Sequence, residues 1–258
     1  MKSSKVIFGL WSLMSVCFSC EKEYEQHCER HDSSGQICKE LRYEEGVLAE
    51  ALSYEYGNNG LVSLKLHENK NGKNIGQVIY TYDSQNNLLS EVFKDAEKEI
   101  IISNAWNYNE QGQINVFESE VYGVKKESRL SYANGILQQV KTYADNSVVW
   151  NSVYSYFDND TVSYDVLTYD GDSVLLSVNQ HRWFDSSTTR IEKYDAFGDL
   201  NGYKVLLFNA EAELIEKRTY DKQLKLLHSE EYLYDNGVVA EYSFLSDIEP
   251  NKRTVYMR

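Results

Sequence analysis

Three tryptophans, Trp106, Trp150 and Trp183, stand among closely spaced tyrosines and are candidates to stack on sugar rings. The competing use of such rings is cross-strand pairing within a sheet, and their recurrence at one register in every repeat favours that use. Near the start lie His27, Cys28, His31 and Cys38, of which only the histidine pair has a zinc-like spacing. With 40 acidic residues, neighbouring carboxylates arise by chance, so spacing alone cannot single out a glycosidase pair. His67, His181 and His228 sit in separate segments and read as surface or packing residues rather than general bases. Asp158-Asn159-Asp160 and the pair Asp170/Asp172 lack the layout of a calcium loop and read as turn chemistry. No nucleophile elbow, phosphate loop, dinucleotide fingerprint or H-E-x-x-H occurs. The expectation is therefore a non-enzyme with no catalytic residue, no cofactor and no metal.

The elements that must carry these residues follow from one stretch, Val78–Phe93. It alternates Val78, Tyr80 and Tyr82 on one face, turns at Asp83–Asn87 and restarts at Leu88. The last aromatic before each such turn is Tyr56, Tyr82, Tyr108, Tyr132, Tyr156, Trp183, Phe208 and Tyr234, at intervals of 24–27 residues. A sustained period of this length marks a repeat architecture, here one β-hairpin plus its link. Asn, Asp and Gly fill the turns, and no long stretch has helical periodicity. The fold expected is all-β: an antiparallel up-and-down meander of about 16–18 short strands, from ~26-residue repeats, curled into a barrel-like or spiral shell. Mid-strand charges at Lys65, Glu91, Glu118 and Glu120 argue against the lipid-facing band of a membrane-spanning barrel.

The formal net charge is -14, and residues 1–19 hold only Lys2 and Lys5, so their removal makes the chain two units more negative. Such a surface repels nucleic acid, and solubility is its plainest purpose. Lys2 and Lys5 precede an apolar run, Val6–Phe18, too short to span a bilayer and suited to a signal-peptide core. It ends at Ser19-Cys20, before Glu21-Lys22-Glu23. This junction resembles the lipobox of bacterial lipoproteins, in which the cysteine is acylated and becomes the new N-terminus. Cys17 and Phe18 depart from the commoner pattern, as in relaxed lipoboxes of Bacteroides-type lipoproteins, where acidic residues after the cysteine accompany surface display. An ordinary cleaved signal with Cys20 as a plain thiol is the alternative.

The expected organisation is a signal peptide over 1–19, a lipidated Cys20 with a tether over 20–40, and the repeat domain over 41–258. Export implies an oxidising compartment, where a Cys28–Cys38 disulfide is the plainer reading, with a metal site or free thiols as alternatives.

The motif Tyr80-Thr81-Tyr82-Asp83…Leu88 resembles the YD (Rhs-type) repeat, Y-x-Y-D-x-x-G-x-L. Tyr194-Asp195-Ala196-Phe197-Gly198-Asp199-Leu200 and Tyr232-Leu233-Tyr234-Asp235-Asn236-Gly237 keep parts of it. In that family the repeats curl into a spiral sheet or shell. The layout is also similar to Bacteroides-type lipoproteins of unknown function with a porin-like β fold. Both resemblances imply an antiparallel meander and neither carries a catalytic residue. The function expected is a lipid-anchored outer-membrane protein, facing the periplasm or the cell surface, that binds a glycan or an envelope protein. The alternatives are a polysaccharide-processing enzyme using carboxylates and a purely architectural shell.

Overall fold

The computed structural model describes residues 36–257, apart from 158–159, 186, 236 and 247. The strands are β1 (Lys39–Glu44), β2 (Val47–Tyr56), β3 (Val62–Asn69), β4 (Asn74–Tyr82), β5 (Leu88–Asp95) and β6 (Ile100–Tyr108). They continue as β7 (Ile114–Val121), β8 (Val124–Ala133), β9 (Ile136–Ala144), β10 (Ser147–Phe157), β11 (Asp160–Asp170) and β12 (Leu175–Asp185). The last six are β13 (Thr188–Asp195), β14 (Leu200–Phe208), β15 (Leu214–Asp221), β16 (Leu226–Asp235), β17 (Val238–Ser246) and β18 (Lys252–Met257). Each strand pairs antiparallel with the next, and β1 pairs with β18 from Lys39↔Met257 to Glu44↔Lys252. The meander therefore closes into an 18-stranded up-and-down barrel, and closure leaves no open edge.

Hairpins from even to odd strands ring one mouth, where the chain also enters β1; hairpins from odd to even strands ring the other. At the first mouth a recurrent bond explains the aromatic period. The hydroxyl of Tyr82 donates to the Val62 carbonyl at 2.9 Å, Tyr108 to Leu88 at 2.9 Å, and Tyr132 to Ile114 at 2.8 Å. Tyr56, Tyr156 and Tyr234 do the same at 2.7–2.8 Å. Each bond pins the end of one strand to the start of the preceding one. Trp183 and Phe208 occupy this position without a hydroxyl and stack on each other instead, ring centroids 5.6 Å apart. We call this end the tyrosine mouth.

The Asp or Asn that opens each such turn is equally mechanical. One carboxylate oxygen of Asp83 accepts the backbone N–H groups of Gln85 and Asn87 at 2.8 and 2.9 Å, while Asn86 takes a positive φ of 67°. Asp95, Asn109, Asp170, Asp195, Asn209 and Asp221 cap their turns likewise. The residue three after the cap lies in the left-handed region, which glycine enters without a Cβ clash. Gly112 and Gly198 fill it in two repeats, but Leu224 holds it at φ 67° with its side chain 61% exposed. Leu224→Gly is therefore expected to raise stability by about 1 kcal/mol. A lower urea midpoint for this variant would contradict that account.

Following the register around the ring divides the side chains into two faces. One carries Glu40, Arg42, Glu50, Lys65, His67, Val78, Phe93, Trp106 and, at the other end of the chain, Glu230, Tyr242 and Thr254. Side chains of this face from β1, β2, β16, β17 and β18 line a single cavity. A concavity spanning five strands belongs to the inner side of a curved wall, so this aromatic-rich face is the lumen side. Substantial contacts run only between ring neighbours, and six apolar side chains are buried among the described residues. The barrel is therefore hollow rather than collapsed on a core, with walls roughly 35 Å apart for this strand number.

The buried apolar residues gather at the closure, where Leu41, Ala51 and Leu52 are almost wholly inaccessible. The outer face carries ion pairs in mid-strand, including Arg182–Asp165 at 2.7 Å, Arg190–Glu192 at 2.6 Å and Arg218–Glu216 at 2.6 Å. Such a wall does not offer the continuous apolar band that crossing a bilayer requires.

Candidate binding site in the inner wall

Closure brings together residues from the two ends of the chain. Glu40 on β1 is 3% exposed and carries a formal charge, so its partners decide whether it can be tolerated. Arg42 Nε lies 2.6 Å from its Oε1, and the Tyr54 hydroxyl donates to its Oε2 in a short hydrogen bond. Arg42 also reaches Glu50 on β2, with Nη1 3.0 Å from Oε2, and His67 Nδ1 on β3 sits 2.7 Å from the other oxygen of Glu50. Lys65 Nζ stands 4.0 Å from Glu40. One guanidinium thus ties two carboxylates across neighbouring strands.

Across the cavity, β16 supplies a second centre. Glu230 pairs with Lys217 Nζ at 2.6 Å and accepts the Tyr232 hydroxyl at 2.9 Å. The Tyr232 and Tyr242 rings pack at 5.3 Å, and Tyr256 completes the aromatic lining. The cavity measures about 570 Å³.

The electrostatics follow from these contacts. The hydrogen bond from His67, and then the charge of Arg42 working against burial, holds Glu50 below the ordinary glutamate range. Burial opposes ionisation of Glu230, but the Lys217 and Tyr232 hydrogen bonds outweigh it and its pKa is lowered. Burial, reinforced by the neighbouring charge of Glu230, pushes the Tyr242 phenol up to about 12. Burial and the bond to Glu40 raise Tyr54 as well. The site therefore favours ionised Glu50 and Glu230 beside neutral phenols.

The tryptophans named as candidate ligand contacts lie on the inner face but apart from this cavity. Trp106 on β6 packs against Phe117 at 5.4 Å. The Lys126 ammonium covers Trp150 on β10, 4.3 Å from the ring centre. Trp183 on β12 is the partner of Phe208. The three do not converge on one surface, and each ring has a neighbour on another strand.

The three scattered histidines share the inner face, each beside an aromatic ring: His67 with Phe93, His181 with Tyr164 and His228 with Phe244. Burial, followed by the charge of Arg182, lowers the pKa of His181. Asp170 spends one carboxylate oxygen on the N–H groups of Asp172 and Val174, which is turn capping. Cys38 is disulfide-bonded, while Cys20, His27, Cys28, His31, Asp158 and Asn159 lie outside the described residues.

Glu40, Arg42, Glu50, Tyr242 and Tyr256 do not stand out in the sequence. Their juxtaposition depends on β1 meeting β18, a pairing between segments about 215 residues apart. The one local signal is the alternation of charge with apolar residues in Lys39–Glu44, which marks a strand with a polar face.

No protein-family model matches the chain, and no curated protein matches it by sequence. Among solved structures, a porin-like protein from Bacteroides uniformis is similar at 10% identity and a TM-score of 0.49, over 86% of this chain and 96% of that one. A porin-like protein from Bacteroides vulgatus is similar at 10% identity and a TM-score of 0.39, over 85% and 97%. The Photorhabdus luminescens Tc holotoxin pore is similar at 10% identity and a TM-score of 0.32, over 78% of this chain and 15% of that one. All three scores fall below 0.5, and no residue role follows from them.

Proposed function

We propose that this protein is a non-catalytic, lipid-anchored barrel of the bacterial cell envelope that binds a glycan in the inner-wall cavity between β16 and β2. The observation that carries the reading is the lining: the Tyr232, Tyr242 and Tyr256 rings beside the ion-paired Glu40, Glu50 and Glu230. Aromatic faces cover the apolar side of a sugar ring, and fixed carboxylates and a guanidinium take its hydroxyls. The cavity has the size of an ordinary small-ligand site. The lipobox-like Ser19-Cys20 supports the envelope location, and the anchor predicts that Cys20→Ala blocks lipoprotein processing, so that the variant keeps residues 1–19.

A polysaccharide-cleaving enzyme needs one carboxyl kept protonated beside an ionised partner. Glu50 and Glu230 are both biased the other way, towards the ionised form. Calorimetric titration of residues 21–258, free of the signal segment and the acylated cysteine, with a panel of host and microbial polysaccharides tests the proposal. Saturable binding to one polymer without product release is expected, weakened about tenfold or more by Tyr242→Ala in protein that still melts cooperatively. Silence across the panel would move the assignment to a protein partner or an architectural role.

A further inference from the structure

The two mouths differ in what their turns display. At the tyrosine mouth the turns 83–87, 109–113 and 209–213 hold only Asn, Asp, Ser, Gln, Glu, Gly and Ala, with no lysine or arginine. Near that mouth the large apolar side chains exposed by two-fifths or more are Phe157, Trp183, Phe184 and Leu233, so only the β10–β11 and β12–β13 hairpins place one within two residues of the turn, while Leu89, Ile215 and Val238 are 38–39% exposed. At the far mouth, every hairpin but β9–β10 places a large apolar side chain, at least two-fifths exposed, in the turn or within two residues of it. The most exposed are Phe197 at 92%, Tyr122 at 76%, Ile248 at 68%, Val47 at 63%, Val124 at 62% and Leu224 at 61%. Several are flanked by lysine, as in Lys222-Gln223-Leu224-Lys225 and Val124-Lys125.

We propose that the far mouth is a lipid-docking ring, on which the barrel stands against the surface of a bilayer with zwitterionic headgroups. Single apolar tips spaced around a ring roughly 35 Å wide present no continuous patch for one globular partner, whereas a flat lipid surface meets them all at once. Lysines beside apolar tips lay their stems along the acyl boundary and keep the ammonium in the headgroups. Carboxylates at the same turns, such as Asp195 and Asp221, favour headgroups of both signs over an anionic surface. A second copy of this chain would bring two bodies of formal charge -14 together, which opposes stacking mouth to mouth.

The chain before β1 permits this orientation. It leaves the barrel at the tyrosine mouth; Cys38 is disulfide-bonded, and with Cys28 as its partner the path from Cys20 to Lys39 is eight residues, the bridge and one residue more, a reach of about 35 Å. Strands of about nine residues give a wall of only roughly 25 Å, so that reach does not hold the anchor at the tyrosine mouth.

The test places one tryptophan reporter at each mouth of the full-length chain. Trp11, Trp106, Trp150 and Trp183 are replaced by Phe, and the reporter is then Phe197→Trp at the far mouth or Phe184→Trp at the tyrosine mouth. With phosphatidylcholine vesicles brominated high on the acyl chains, emission from the Phe197→Trp reporter should fall about twofold and that from Phe184→Trp should hold. Quenching of Phe184→Trp alone, or of neither, overturns the proposal. So does a lipid-free blue shift of the Phe197→Trp reporter that grows with protein concentration, because a second copy then covers the ring. The unsubstituted protein gives an independent reading: amide exchange at the far-mouth hairpins should slow with vesicles, and unchanged exchange there refutes docking. The readout is which mouth meets lipid, so the glycan site and the Cys20 anchor can each fail without affecting it.

Discussion

Arg42→Met should destabilise the barrel by about 2–3 kcal/mol, read as a lower urea midpoint with an unchanged slope. The effect comes from what the substitution leaves behind. Glu40 stays almost wholly inaccessible and loses the guanidinium at 2.6 Å, and Glu50 loses its contact at 3.0 Å. A buried charge stripped of its partner commonly costs about 3–5 kcal/mol. The expected loss falls at or just below the bottom of that range because Arg42 itself is partly exposed, and because Tyr54 and Lys65 still face Glu40.

Removing the stranded charge should reverse most of the loss, so Glu40→Gln in the Arg42→Met background is expected to restore the midpoint. A double-mutant cycle returning additive losses would show that the pair is not coupled. Acid should act on the same network. Glu50 is held below its unfolded pKa, so its contribution is complete above the ordinary glutamate range and disappears as pH falls through the lowered value.

Most of the wall is legible in the sequence, because the features that build it are local. The step from Tyr82 to Asp83 to Leu88 encodes a rim hydrogen bond, a turn cap and a strand restart, all within seven residues. The same logic accounts for the departures: Trp183 and Phe208 keep the ring without the hydroxyl, and Leu224 keeps the turn without the glycine. Closure is a different matter. A repeating hairpin specifies how each strand meets the next, but leaves open whether the sheet spirals or closes. That depends on the register of Lys39 with Met257.

The candidate site inherits the same difficulty. Tryptophan stands out in a sequence because it is rare and large, yet these rings sit in separate cross-strand contacts. The cavity is built from residue types found throughout the chain, Glu, Arg and Tyr, and only the meeting of β1, β2, β16, β17 and β18 sets them apart.

Deleting Lys252–Arg258 should open the barrel and drive the chain into aggregates. β18 is a short strand, but it satisfies β1 along six residue pairs and β17 along four. Without it both neighbours expose unpaired backbone N–H and C=O groups, the template for edge-to-edge association. The ring cannot repair itself by drawing β17 onto β1. Both are odd-numbered strands and run in the same direction, from the tyrosine mouth to the far mouth, so their contact would be parallel in a sheet whose every other pair is antiparallel. The deletion also takes Thr254 and Tyr256 from the cavity and Arg253 from its paired contact with Glu241 at 2.8 Å. Size-exclusion chromatography with light scattering should find the shortened chain in large, polydisperse species, while deletion of Arg258 alone leaves the mass of the intact protein's species unchanged. A monomeric, cooperatively melting product of the longer deletion would mean that the sheet does not need its seam, and that the wall is held by its hairpins alone.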